Sequence, residues 1–221
     1  ASRQVKTYVS NEKVEQNPNE WRSLSWEVIK EATSILGEKA KNIQYITVTT
    51  SASCLVVLDK NGQSLRNAIL VSDTRSIEEA KMLSNTVEFQ KIQARTDCKS
   101  SPDLMLPKIM WLSRHEPNIF QKAAHYLNVG DFLTNQLTGA YATDTNNALK
   151  FHYVTEEQSY PLDLLSALEI EKNSLPEVRQ QGTKLGYILP KVADELGLPR
   201  KSQFVLSTYD ALAAVVGNGA F

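Results

Sequence analysis

Cysteine is nearly absent: Cys54 and Cys98 are the two thiols in 221 residues. They stand far apart, and neither they nor His115, His125 and His152 fall at metal-ligand spacing, so the chain carries no zinc or iron–sulfur signature. Two isolated thiols read as reduced side chains of a cytoplasmic protein rather than as a disulfide framework. Long apolar runs are missing as well. None approaches the roughly 18 residues that span a bilayer, and the opening ASRQVKTYVS has no apolar core of a secretory signal. Nor is there an excess of charge of one sign, since 24 Lys and Arg face 25 Asp and Glu. That balance supplies no basic surface, so neither nucleic acid nor an anionic membrane is expected as a partner. The two common glycine-rich phosphate loops and the Gly-x-Ser-x-Gly elbow are also missing. There is no initiator methionine, and the first residues read as the last part of a strand. The chain is therefore expected to be a piece of a longer protein.

What is present suits one large domain or two small ones, long enough to bury roughly 70% of the unfolded surface. EQNPNEW (Glu15–Trp21) reads as a turn into a helix, with Asn17 as N-cap, Pro18 at the first helical position and Glu20 at capping-box spacing. Trp21, Leu24, Val28, Ala32 and Leu36 recur at helical steps up to Gly37, which predicts an amphipathic helix of about five turns. IQYITVTT, CLVVLD and AILVSD then read as three strands. Asp59-Lys60-Asn61-Gly62 turns the second into the third as a hairpin. From Ser76 the pattern is helical through IEEAKMLSN, LMLPKIMWLSRH, IFQKAAHYL and VGDFLTNQLTG, with Pro107 near a helix start or at a kink. A last strand, QFVLS, precedes Asp210. Strands, then helices, then strand and helix describe an α/β domain with an inserted helical lobe.

Three stretches carry candidate chemistry. Asp210 stands between QFVLS and ALAAVVG. It reads either as an N-cap or as a carboxylate at a strand's carboxyl end, placed to take a proton from a hydroxyl nucleophile. Ser72-Asp73-Thr74-Arg75 reads as a cap for the next helix or as a polar wall of the same cleft. Thr49–Cys54, TTSASC, reads as a polar turn or as the lining of a pocket for a polyhydroxylated ligand. Each stretch by itself leaves the function open.

Their order is more specific. EQNPNEW, ITVTTSASCLVVLD, NGQSLRNAILVSDTR, LPKIMWLSRHEPNIF, DFLTNQLTGAYATDTNNA, LPEVRQQGTKLGYI, ADELGLP and YDALAAVVGNGA together resemble the N-terminal domain of the FGGY carbohydrate kinases over nearly the whole chain. Within that family WLSRHEPNIF and the phrase around LTG are most similar to xylulokinase-like members. The resemblance implies a ribonuclease H-like (actin-like ATPase) α/β domain with an inserted helical lobe. Residues 1–221 would form the sugar-binding domain, incomplete at its start and without its first hairpin. The C-terminal ATP-binding domain is not in the chain. The implied reaction moves the γ-phosphoryl group of ATP, with Mg²⁺, to a sugar hydroxyl, with a pentulose such as xylulose the expected acceptor. Asp210 falls on the family's catalytic base, and Ala52 and Ser53 fall on its substrate positions, with Asp73 near the same cleft. The expected partners are the small-molecule sugar and the chain's own C-terminal domain, with a homodimer as a further expectation.

The chain departs from the family in three places. It has no Asp-x-Gly-Thr phosphate hairpin. Ser207, Thr208 and Tyr209 replace the glycines before the base, and Tyr209 crowds the usual substrate approach. Ala52 and Ser53 replace both the Met-His of xylulokinases and the Arg-Glu of glycerol kinases, which turns the expectation away from glycerol. These departures keep a second class open, a catalytically silent sugar-binding or regulatory relative of the same fold. EQNPNEW and LTG speak against a third class, an actin-like or chaperone-like ATPase sharing the fold alone.

Overall fold

Two short antiparallel strands open the chain, β1 (Thr7–Ser10) and β2 (Lys13–Gln16). Asn11 turns them at a φ of 52°, a left-handed conformation that asparagine tolerates. This corrects the expectation that the first residues end a strand: Ser10–Lys13 carries turn chemistry, and a whole hairpin forms around it. The structure is a computed structural model describing residues 1–96 and 98–219.

Helix α1 (Pro18–Leu36) starts as its sequence predicts, with Asn17 as N-cap and Pro18 first. The Asn17 side chain accepts the N–H of Asn19 at 2.9 Å, so the cap closes on that residue instead of on Glu20. Gly37 ends the helix at a φ of 54°. The buried side of α1 is Trp21, Trp26 and Thr33, whereas Ala32 and Leu36 of the predicted stripe are exposed. The helix turns this face inward because Trp26 and Thr33 meet the segment around Leu196. There the Thr33 hydroxyl donates to the Leu196 carbonyl at 2.8 Å.

The three predicted strands form as shorter pieces: β3 (Tyr45–Ile46), β4 (Val56–Leu58) and β5 (Ala68–Ile69). Asp59 accepts the N–H groups of Asn61 and Gln63, and Gly62 takes a φ of 75°, which fixes the hairpin between β4 and β5. Leu55 and Val57 enter one core while Cys54, Val56 and Leu58 enter another. That alternation explains why CLVVL is apolar at every position: the segment is buried on both faces.

Next come α2 (Ile77–Ser84), α3 (Val87–Thr96), α4 (Met105–His115) and α5 (Pro117–Lys122). They pack with Phe151, Leu164 and Leu165 around one core and form the helical lobe. Pro107 lies in the first turn of α4, where no intrahelical N–H is required of it. Strand β6 (His125–Leu127) pairs with β4, and α6 (Val129–Thr138) follows. Strand β7 (Ala142–Asp144) leads into α7 (Thr145–Ala148), and α8 (Leu162–Ala167) precedes β8 (Glu177–Arg179), which pairs parallel with β7. The chain closes with β9 (Lys184–Tyr187), α9 (Pro190–Leu196), β10 (Gln203–Val205) and α10 (Asp210–Gly217). Strand β10 lies between β3, parallel, and β9, antiparallel. This joins the last part of the chain to the strand that runs into TTSASC. No described helix is long and apolar enough to cross a membrane.

His152 caps a short turn at a φ of 61° inside the lobe, edge-on to Phe89 at 5.3 Å. Its ring is buried and neither nitrogen has a partner among the described residues. Burial therefore pushes its pKa down to about 4. The unfolded chain, with an ordinary histidine near 6.5, takes up the proton first as the pH falls. The stability tied to neutral His152 is thus intact above about pH 6.5 and is lost between there and about pH 4, to a total of about 3 kcal/mol. Buried Asp131, raised to about 7, acts in the opposite sense between about pH 4 and 7. The difference between the wild type and His152→Leu isolates the histidine. Urea unfolding of both proteins at pH 7.5 and 4.5 should show the wild type losing about 2–3 kcal/mol more than the variant on acidification. Equal losses would mean that His152 finds a partner.

Candidate active site

Residues 49–51 and 208–210 are sewn together at the end of β10. The Asp210 N–H donates to the Thr50 carbonyl at 2.9 Å, and the Thr49 hydroxyl donates to the Thr208 carbonyl at 2.8 Å. The Ser51 hydroxyl lies 3.5 Å from the Asp210 carboxylate, at the outer limit of a hydrogen bond. Gly130 in the first turn of α6 admits Thr50 to this seam, since a Cβ there would lie 3.0 Å from the Thr50 hydroxyl oxygen. Asp210 is exposed. It is the first residue of α10 and not its N-cap; extended Tyr209 holds that place, which corrects the capping expectation. One carboxylate oxygen accepts the Ala211 N–H at 2.7 Å, and the other points toward Ser51.

A second polar segment reaches the same place. Asp144 accepts the N–H groups of Asn146 and Asn147 at the start of α7, and Gln181 donates to it at 3.1 Å. The Asn146 amide, so oriented, donates to the Thr208 hydroxyl at 3.2 Å. The Lys150 ammonium stands 5.3 Å from the centre of the half-buried Tyr209 ring. Tyr209 is thereby held beside Asp210.

Ala52 and Ser53 continue the seam. Ala52 is partly exposed and Ser53 is buried at a φ of 59°. The Ser53 N–H donates to the Asn128 side chain at 3.0 Å, and its carbonyl accepts from the Lys108 ammonium at 2.5 Å. Lys108 also donates to the Leu70 carbonyl at 2.9 Å. Burial pushes Lys108 down to about 8, against the pull of Cys54 and Asp73. Burial raises the Cys54 thiol pKa, and both cysteines are free.

Asp73 is placed differently. It is buried, and its carboxylate accepts the Val14 N–H at 2.6 Å, the Arg75 N–H at 3.0 Å and two bonds from the Arg75 guanidinium. Arg75 also donates to Glu15 at 2.7 Å and lies over Trp111, and Arg66 bridges Glu15 to Glu116. Asp73 therefore closes a turn within an ionic cluster. The N-cap of α2 is Ser76, so neither Ser72 nor Asp73 caps that helix. Ser51 and Asp210 lie within 3.5 Å of each other, Ala52 and Ser53 follow Ser51 in the chain, and the Asp73 carboxylate is bound to Val14 and Arg75.

Lys108, Asn128, Asn146 and Lys150 went unread in the sequence. The signal for Lys108 was present: a lone cation among Leu106, Ile109 and Leu112 on an apolar helix face.

The chain is similar to known proteins along nearly its whole length. The model of the FGGY family of carbohydrate kinases, N-terminal domain, matches residues 2–217. A xylulose kinase of Bacillus subtilis is 30% identical over 208 residues, which are 93% of this chain and 41% of that protein. An L-fuculokinase of Haemophilus influenzae is 29% identical over 185 residues, 83% of this chain and 39% of that protein. The crystal structure of a xylulose kinase from Rhodospirillum rubrum superposes with a TM-score of 0.93 at 26% identity, covering 100% of this chain and 46% of that one. The chain thus spans about two fifths of the length of the curated relatives it matches, and it has the actin-like ATPase fold expected of it.

The ionic cluster generates a stability prediction. Asp73→Ala leaves the Val14 N–H and much of the Arg75 guanidinium unpaired in a buried place, and should cost about 3–5 kcal/mol. Removing exposed Glu38 from its pair with Lys41 should change nothing measurable. Urea unfolding at neutral pH compares the two, and similar effects would show that the cluster is hydrated.

Proposed function

The chain belongs to the FGGY family of carbohydrate kinases, and from that premise we propose that it is the sugar-binding half of an ATP-dependent kinase acting on a pentulose such as xylulose. The observation that carries the proposal is the seam that fastens the TTSASC loop to the base of α10 and leaves the Asp210 carboxylate exposed beside Ser51. In this reading the sugar lies over Ala52 and Ser53, and its attacking hydroxyl hands its proton to Asp210. The Asp210 carboxylate accepts the Ala211 N–H with one oxygen and turns the other toward Ser51, where a ligand hydroxyl can meet it. Asn146, Thr208 and Ser51 border the same surface with hydroxyl and amide groups of the kind that orient a polyol. Asp73, bonded to the Val14 and Arg75 N–H groups, orders Ser72–Arg75.

Kinases of this family use ATP, which supplies the phosphoryl group together with Mg²⁺. The described residues do not make a holder for them by themselves. No group of three His, Cys, Asp or Glu is placed to bind a metal ion, and there is no glycine-rich phosphate cradle. In this reading ATP and Mg²⁺ lie between this domain and the proposed C-terminal domain, which is its partner. The two free thiols suit the cytoplasm. A homodimer is part of the same proposal, and sedimentation tests it.

Tyr209 favours a second reading, a sugar-binding relative without turnover. Its ring, held by Lys150, stands where the family has a glycine next to the base. The two readings separate on Asp210→Asn, made in the protein that joins this chain to its C-terminal domain. Sugar-dependent ATP turnover on a panel of pentuloses should fall about 10²–10⁴-fold, while the melting temperature stays within a few degrees. The isolated 221-residue chain should show no turnover, because phosphoryl transfer needs groups from both sides of the cleft. Near-normal turnover in the asparagine variant would reduce Asp210 to a helix-start residue. Pentulose binding without turnover in the joined wild type would favour the silent relative.

A further inference from the structure

Lys108 is fully buried and forms no ion pair among the described residues; its ammonium is satisfied by two backbone carbonyls, Ser53 at 2.5 Å and Leu70 at 2.9 Å. A buried amine without a carboxylate is costly in a helix that apolar side chains would fill just as well. The two carbonyls explain the placement. One belongs to the loop proposed to carry the sugar. The other ends the strand that leads to Ser72–Arg75, and it also accepts the Asp73 N–H at 3.2 Å. Ser53 between them holds a left-handed φ of 59° that a serine keeps only when its surroundings force it. It is forced from both sides, its N–H bound by Asn128 and its carbonyl by Lys108. Rigid α4 supplies one anchor, and Asn128, just before α6, supplies the other.

We propose that Lys108 is a positioning residue for sugar binding: its ammonium staples the Ser53 and Leu70 carbonyls to α4 and so holds Ala52 and Ser51 in register with Asp210. This rests on the sugar-kinase reading for its consequence, but the staple itself does not. A neutral lysine still has two N–H groups for two carbonyls, so the staple should survive deprotonation.

The test uses Lys108→Met, which keeps the length and apolar stem and removes the donors. Lys108→Gln keeps a shorter amide donor and carries the same test should the methionine variant not fold. Hydrogen exchange by mass spectrometry, in the joined protein, should show residues 49–54 and 70–75 exchanging at least about tenfold faster in Lys108→Met. Helices α1 and α9 should keep their wild-type rates. The glutamine variant should lie between. Titration with D-xylulose should show affinity weakened by about tenfold or more, and exchange in 49–54 should be no faster at pH 9 than the chemical rate demands. Unchanged exchange in the two segments overturns the proposal. So does a uniform acceleration across the chain, which marks a merely structural lysine. Faster local exchange with undiminished affinity also overturns it. If the wild type binds D-xylulose no better than a blank, the pentulose assignment falls, and the exchange result alone decides whether Lys108 is the staple.

Discussion

A buried ammonium must be satisfied, and Lys108 satisfies itself on the backbone of the two segments around which the site is built. Much else follows from that one requirement. For Nζ to reach both carbonyls, α4 has to lie against the β4–β5 hairpin, which brings the helical lobe onto the sheet. Pro107 next to it belongs in the first turn, so the helix starts beneath the hairpin. The helix around Lys108 is apolar, and Leu106, Ile109 and Leu112 are all fully buried. The cation is tolerated because its stem packs with them while its head meets two carbonyls.

The remaining buried charges are handled in a different way. Arg75 and Arg66 pair with Glu15, Asp73 and Glu116 beside the face of Trp111. That cluster ties β2, the turn after β5 and the end of α4 into one block. Its members have two or more partners each in several cases, so the guanidinium groups keep a fixed geometry. Asp131 and His152 have less support. Asp131 accepts the Asn128 N–H, and His152 has no partner among the described residues, so burial moves both toward their neutral forms. The fold therefore pairs its charges in an ionic block around Trp111, while burial moves Asp131, His152 and Lys108 toward their neutral forms.

The sequence disclosed the elements whose signals are local. Asn17-Pro18 and Gly37 bracket α1, Asn61-Gly62 turns the β4–β5 hairpin, and apolar CLVVL is a strand buried on both faces, all from chemistry within a few residues. The ordered motifs carried the family, since they were spread over the whole chain. What stayed hidden depends on partners distant in sequence. The face α1 buries is chosen by Leu196, 163 positions away, so the stripe ending in Leu36 was misassigned. The hairpin at 7–16 has little apolar content to announce it, being exposed on β1. Asp73 looked like a cap because a carboxylate before a helix usually is one. Arg75, two residues on, takes its oxygens instead. Lys108 was visible as an oddity, but its two acceptors were not.

The difference between an N-cap and a first helical residue matters for Asp210. A capping carboxylate folds back over the N–H groups of the next turn and accepts from the second or third of them. At the first helical position the side chain lies beside those groups, accepting one N–H and keeping the other oxygen turned outward toward Ser51. The seam to Thr50 then does through the backbone what a cap would have done through the side chain: it anchors the helix start. Asp210 thus commits one oxygen to the Ala211 N–H and turns the other toward Ser51. Tyr209 makes the cap with its extended backbone and places its ring against Lys150. In the proposed reading Tyr209 both narrows the approach to Asp210 and sets its helix start, so one carboxylate oxygen stays turned toward Ser51 without the glycines that the resemblance implies there.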